Sequence, residues 1–129
     1  MQGQCFCGAV RYELTGPLWH ATVCHCTICR KASGAPSVAW VTGQRSNFRV
    51  TRGTPHSFRS SDHGTRSFCA ACGTPLTFSS SSLPDEVDVT IASLDEPERV
   101  VPEDHTWVGS KLAWVELSDA LPQFQKARP

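Results

Sequence analysis

The 129-residue sequence has no run of about eighteen apolar residues, the least that a helix needs to cross a bilayer, so no membrane-spanning helix is expected. It also lacks an excess of charge, because twelve lysines and arginines balance twelve aspartates and glutamates. A chain that grips nucleic acid or anionic lipid concentrates basic residues in a stripe or patch. No such stripe is visible, and small molecules are the expected partners. The start, MQGQCFCGAV, has no basic residues followed by an apolar stretch, so no secretory signal is read there. No repeat of fixed period and no shift in composition divides the chain. Residues 1–129 are therefore read as one domain, with its core at about 3–124.

Helical periodicity is scarce as well. Val10, Tyr12 and Leu14 alternate with Arg11 and Glu13, the period-two pattern of a half-buried strand. Further β-rich runs are read at Pro36–Thr42, Asn47–Thr51, His56–Arg59, Thr65–Cys69, Pro75–Ser79, Val87–Ser93 and Trp114–Leu117. Gly16-Pro17, Gly43, Gly53-Thr54-Pro55 and Leu83-Pro84-Asp85 punctuate the intervals, and the serine run at Ser79–Ser82 reads as a turn. One short helix is expected over Thr27–Ser33, ended by Gly34, which can adopt the left-handed conformation of a helix cap. The expected fold is mainly β with one short helix. Trp40, Trp107 and Trp114 are expected in its core.

Cysteine, by contrast, is plentiful. Seven cysteines stand at positions 5, 7, 24, 26, 29, 69 and 72. An odd count opposes a disulfide scaffold and points to a reducing compartment, so a cytoplasmic location is expected. Cys5-Phe6-Cys7-Gly8 and Cys69-Ala70-Ala71-Cys72-Gly73 form two arms. In an extended chain residues i and i+2 face the same way, so Cys5 and Cys7 can reach one ion. In the second arm the chain must fold back, and Gly73 supplies the positive φ such a turn needs. Four thiolates from two separated arms make a closed tetrahedral zinc site of structural type.

Cys24, Cys26 and Cys29 remain, and three sulfurs do not complete a tetrahedron. The segment CHCTIC can wrap a second zinc in one turn of chain, with the fourth position open as in a catalytic site. The alternative is closure by a distant histidine, His56, His63 or His105. His25 is a poor ligand because its flanking cysteines point to the opposite face of an extended segment. A three-thiolate zinc carries a net charge near minus one and prefers a soft fourth ligand, so sulfur is its natural partner. Coordination converts a thiol of pKa about 8.5 into thiolate at neutral pH.

The segments CFCGAVRYE, CHCTICRKASGAP, RSFCAACGTPL and HTWVGSKLAWVELSDALPQF resemble the glutathione-dependent formaldehyde-activating enzymes, the CENP-V/GFA domain family, from Gly3 to about Phe124. The resemblance implies a β-tent zinc fold like that of the Rab-accessory zinc proteins, with two zinc ions per chain. It carries the structural zinc over to Cys5, Cys7, Cys69 and Cys72, and the catalytic zinc to Cys24, Cys26 and Cys29. The implied activity is that of a carbon-sulfur lyase, S-(hydroxymethyl)glutathione synthase-like, joining glutathione or another thiol to formaldehyde or a related aldehyde. The competing reading is a non-catalytic zinc module that binds glutathione or a protein partner. If the thiol is glutathione, its carboxylates need cations, and Arg30 and Lys31 follow the triplet directly, with Lys111 and Arg66 as further candidates. His25 is a candidate proton relay.

Overall fold

The computed structural model describes the whole chain, Met1–Pro129. Ten strands and one helix follow in the order β1 (Gln2–Gln4), β2 (Arg11–Leu14), β3 (Leu18–Cys24), α1 (Thr27–Ser33), β4 (Val38–Gln44), β5 (Phe48–Arg52), β6 (His56–Arg59), β7 (Gly64–Phe68), β8 (Pro75–Ser80), β9 (Leu83–Thr90) and β10 (Asp104–Thr106). They form a three-stranded sheet, β1-β2-β5, and a seven-stranded sheet, β10-β3-β4-β9-β8-β7-β6. All pairings are antiparallel except β10 with β3. The mainly-β architecture with a single α-helix agrees with the reading of the sequence, and no helix is long and apolar enough to cross a membrane.

The main core lies where the two sheets meet. The alternation of β2 sends Tyr12 and Leu14 inward, where they join Val41, Leu76 and Val89 with almost no exposed surface. Each such side chain contributes roughly 1.5–3 kcal/mol through burial. Cys5 and Cys69 belong to the same buried cluster, so the first cysteine site is built into the core. The Tyr12 hydroxyl lies 2.6 Å from Ser93 Oγ and joins the small sheet to the turn that ends β9.

The helix spans Thr27–Ser33 as its local signals require. Its N-cap is Cys26, whose sulfur accepts the Cys29 N–H at 3.2 Å, and Gly34 closes it at φ 65°, ψ 31° with its N–H on the Arg30 carbonyl. Elsewhere the sequence misleads. Trp114–Leu117 is not a strand: Lys111 Nζ donates to the carbonyls of Leu112 and Val115, taking acceptors that a sheet ladder would use, and Trp114 is 70% exposed. Leu83-Pro84-Asp85 opens β9 instead of forming a loop, since proline is tolerated near a strand's start. Ser79 and Ser80 end β8, so the turn is confined to Ser81 and Ser82. Ile91–Ser93 leaves the strand as a 3-10 turn. Strands β1, β3 and β10 carried no readable alternation. In β3 the register breaks between Trp19 and Thr22, where His20 sits at φ 52°.

Candidate metal centres and the cavity beside them

The two cysteine arms come together although 62 residues separate Cys7 from Cys69. The sulfurs of Cys5, Cys7, Cys69 and Cys72 all lie within 4.8 Å of one another. Cys5 and Cys7 are 3.7 Å apart, and Cys7 and Cys69 are 3.8 Å apart. Zinc–sulfur bonds of about 2.3 Å in a tetrahedron put sulfurs about 3.8 Å apart, so the donor set fits such an ion. In each arm a glycine turns the chain back onto its first cysteine. Gly8 (φ 78°) donates its N–H to the Cys5 carbonyl, and Gly73 (φ 82°) donates to the Cys69 carbonyl, each in the left-handed region that glycine enters without strain. The Val10 amide reaches Cys5 Sγ at 3.3 Å. Hydrogen bonds from the Thr74 hydroxyl and amide pull the Cys72 thiol down to about 5, favouring the thiolate a metal requires.

Cys24, Cys26 and Cys29 form the second cluster, again with all sulfurs within 4.8 Å, and no other cysteine, histidine or carboxylate joins them. Cys24 ends β3, Cys26 caps α1 and Cys29 lies one turn into it, so the strand-to-helix corner brings three thiols together within six residues. Hydrogen bonds from Cys24 and Cys29 push the Cys26 thiol far down, while the same contact with Cys26 pushes Cys24 far up. The histidines considered as a fourth ligand are engaged elsewhere. His56 packs on Phe68, and His63 Nδ1 meets Ser81 Oγ at 3.1 Å. Both ring nitrogens of His105 are committed, Nε2 to Asp119 Oδ2 at 2.8 Å and Nδ1 to His25 Nε2 at 2.9 Å.

That last pair is a buried chain. The Asp119 carboxylate can only accept, so His105 donates to it from Nε2, its Nδ1 shares a second hydrogen bond with His25 Nε2, and buried His25 Nδ1 has no partner. His25 and His105 are 1% and 3% exposed, and burial foremost holds His25 below its ordinary pKa. With the His25 N–H on the Thr106 carbonyl, this chain fixes the corner that carries the triplet to β10 and the C-terminal segment.

Arg66 of β7 sits against the triplet. Its two terminal nitrogens each lie 3.5 Å from Cys29 Sγ, its Nε donates to Ser60 Oγ at 3.0 Å, and its guanidinium lies over Phe78 and Trp40 at 5.0 and 5.7 Å. Only 9% of Arg66 is exposed, and no carboxylate pairs with it. A buried cation without a carboxylate needs another anion. The sulfur cluster is the one at hand.

The triplet opens on a cavity of about 680 Å³, whose wall includes Trp40, Phe78, Trp107, Arg66, His20 and Asp88. Two of these, His20 and Trp107, hold the positive φ values (52° and 57°) that side-chain-bearing residues seldom adopt, a strain that gathers at functional sites. Trp107, expected in the core, is 39% exposed on this wall, whereas Trp40 is buried and serves both. Arg30 and Lys31 do not line the cavity; Arg30 points along α1 to Thr27 Oγ1 at 3.5 Å. Asp88 was not singled out from the sequence, where it is one acidic residue of a strand, and only its cross-strand neighbours reveal it.

Burial lifts the Asp88 carboxyl from 3.8 to about 6; Glu86 adds to the rise, while the Thr42 hydroxyl and the charges of His20 and Arg66 oppose it. The folded state thus binds this proton more tightly than the unfolded chain. The stability it contributes is full below pH 3.8 and is lost as pH rises through 6. Asp88→Asn is therefore expected to melt with the parent below that range and several degrees above it at pH 8, a gain of about 3 kcal/mol. Calorimetry at the two pH values checks this.

A family profile described as "Glutathione-dependent formaldehyde-activating enzyme" matches residues 1–110. A Halomonas elongata protein named "Putative glutathione-dependent formaldehyde-activating enzyme" is 28% identical over 130 residues, covering 91% of this chain and 80% of that protein. The crystal structure of a Rhodobacter sphaeroides protein superposes with a TM-score of 0.62 at 25% identity, covering 96% of this chain and 99% of that one.

Proposed function

The chain belongs to the glutathione-dependent formaldehyde-activating enzyme family, and from that premise we propose that it is a zinc-dependent carbon-sulfur lyase acting on adducts of glutathione, or another thiol, with formaldehyde or a related aldehyde. One observation carries the reading. The triplet offers three thiolates, no fourth side-chain ligand, and an opening into a cavity of about 680 Å³, ample for a tripeptide thiol beside a small aldehyde. In this reading Cys5, Cys7, Cys69 and Cys72 hold a structural zinc, and Cys24, Cys26 and Cys29 hold a second one. Zinc in the second site supplies a soft, open coordination position that keeps a thiol ionised at neutral pH.

The chain's own residues account for the rest. Trp40 and Phe78 wall the cavity and limit water around the reacting sulfur. Arg66 offsets the negative charge that gathers on the triplet. Arg30 and Lys31 meet the carboxylates of a thiol that extends past the cavity over α1. The sulfur adds to the aldehyde carbon, and the oxygen that gains charge must then be protonated.

Cobalt replacing zinc, followed by glutathione titration, tests the open site. The expected result is a saturable change in the thiolate-to-cobalt absorption of about half the bound metal, together with acceleration of S-hydroxymethylglutathione formation and breakdown above the uncatalysed rate. Two sites that are spectrally tetrahedral from the start and unmoved by thiol would replace this reading with a non-catalytic zinc module.

A further inference from the structure

The proposed condensation moves one proton, which leaves the thiol sulfur and ends on the new hydroxyl oxygen. Two carboxylates, Glu86 and Asp88, face the cavity that the triplet opens into, both from β9. They differ in how they are held. Asp88 Oδ1 accepts the Thr42 hydroxyl at 2.6 Å, and Thr42 is its cross-strand partner on β4, so the carboxyl is fixed by sheet register. No protein donor reaches its other oxygen.

The register goes further. Asp88 is paired on its other side with Phe78 of β8, and Phe78 with Arg66 of β7. Thr42, Asp88, Phe78 and Arg66 thus form one row across four adjacent strands, and all four line the cavity. Strands are about 4.8 Å apart, so Asp88 and Arg66 stand two strands, or about 10 Å, from one another with an aromatic ring between them. That spacing keeps them from neutralising each other. Arg66 is spent on Cys29, and Asp88 stays available.

We propose that Asp88 is the proton-exchanging residue of the cavity, an inference that rests on the activity proposed above. The Asp88 carboxylate takes the proton from the incoming thiol. The sulfur then forms its bond to the aldehyde carbon, and the carbonyl π pair moves onto oxygen. The Asp88 carboxylic acid returns the proton to that oxygen. One thiol and one aldehyde become one hydroxymethyl thioether, nothing is oxidised or reduced, and the carboxylate is restored. Breakdown of the adduct runs the same steps backwards.

The charged and titratable groups around it set its range. Glu86 lies on its own strand, His20 comes from β3, Arg66 from β7 and Arg128 from the C-terminal segment, with the thiols of the triplet on the same wall. Burial first, helped by Glu86, places its pKa at about 6, where both protonation states are well populated near neutrality, as an acid–base group requires.

The test compares zinc-loaded wild type and Asp88→Asn in the formation and breakdown of S-hydroxymethylglutathione from pH 5 to 8, with glutathione affinity measured on the cobalt forms. Asparagine keeps an acceptor for Thr42. The expected result is a loss of about 100-fold or more in the rate above background with thiol affinity unchanged, and loss of the wild-type inflection near pH 6. Equal rates for variant and wild type would overturn the role of Asp88 while leaving the activity standing. A wild type without acceleration would overturn the activity itself, and this inference with it. Should Asp88→Asn fail to fold, Thr42→Val decides: removing the hydrogen bond that lowers the Asp88 pKa moves the inflection upward if Asp88 carries the proton, and leaves it in place if it does not.

Discussion

Replacement of Cys69 by serine is expected to unfold the chain, and a strong chelator is expected to do the same to the parent. Cys69 is 1% exposed and belongs, with Cys5, to the main core. The site it completes fastens the first ten residues to the turn between β7 and β8. Apart from the sulfurs, the Phe6 amide on Thr74 Oγ1 at 3.0 Å is the hydrogen bond that links the two arms directly. A structural zinc, as proposed for these four sulfurs, would supply on the order of 10–16 kcal/mol, against a total stability of about 5–15 kcal/mol. Serine is a much poorer ligand and would leave a hydroxyl in the core. Far-UV circular dichroism of the variant, and of the parent with chelator, should show loss of the cooperative melt. A variant melting within a few degrees of the parent would mean that the four sulfurs do not hold the fold.

The three cysteines of the other site are expected to differ in what their loss costs. In the proposed reading Cys26→Ser removes a partly buried zinc ligand, so thiol binding should be lost while the fold stays. Cys29→Ser removes the sulfur that faces both terminal nitrogens of Arg66, so the buried cation loses its directly bonded partner. Breaking such a pairing costs about 3–5 kcal/mol, enough to move the melting temperature by ten degrees or more. Arg66→Met should recover much of that loss in the Cys29→Ser background, because it removes the stranded charge and keeps a long side chain against Trp40 and Phe78. In the wild-type background the same change should weaken metal binding at the triplet by about 10–100-fold. Melts of the two single variants and the double variant measure the coupling, and strictly additive losses would dismiss it.

The cysteine arms, the helix over Thr27–Ser33 and the alternation of β2 were legible in the sequence because each is written in neighbouring residues: a spacing, a cap, a period. The row Thr42, Asp88, Phe78 and Arg66 was not. It depends on the registers of three strand pairings, and a slip of one residue in any of them would turn a member to the opposite face. Asp88 therefore reads as an ordinary polar residue until β4 and β8 lie beside it. Short β10 was hidden for a related reason: three residues carry no period, and what holds them is a parallel pairing with β3, more than eighty positions away, and the His25–His105–Asp119 chain. Trp114 misled in the other direction, since an apolar residue in a β-rich run still lies exposed when a lysine occupies the carbonyls around it.

The two cysteine clusters also differ in when they can exist. The triplet closes within six residues, whereas the four-sulfur site waits for Cys69 and Cys72 to emerge and for a loop of 62 residues to be drawn shut. Closure entropy grows with loop length, and distant contacts form late. On a ribosome the nascent chain would thus present a complete three-thiolate chelator long before its core can assemble. Metal captured there would precede tertiary structure, whereas the ion on which the native fold depends could bind only after Cys69 and Cys72 had emerged.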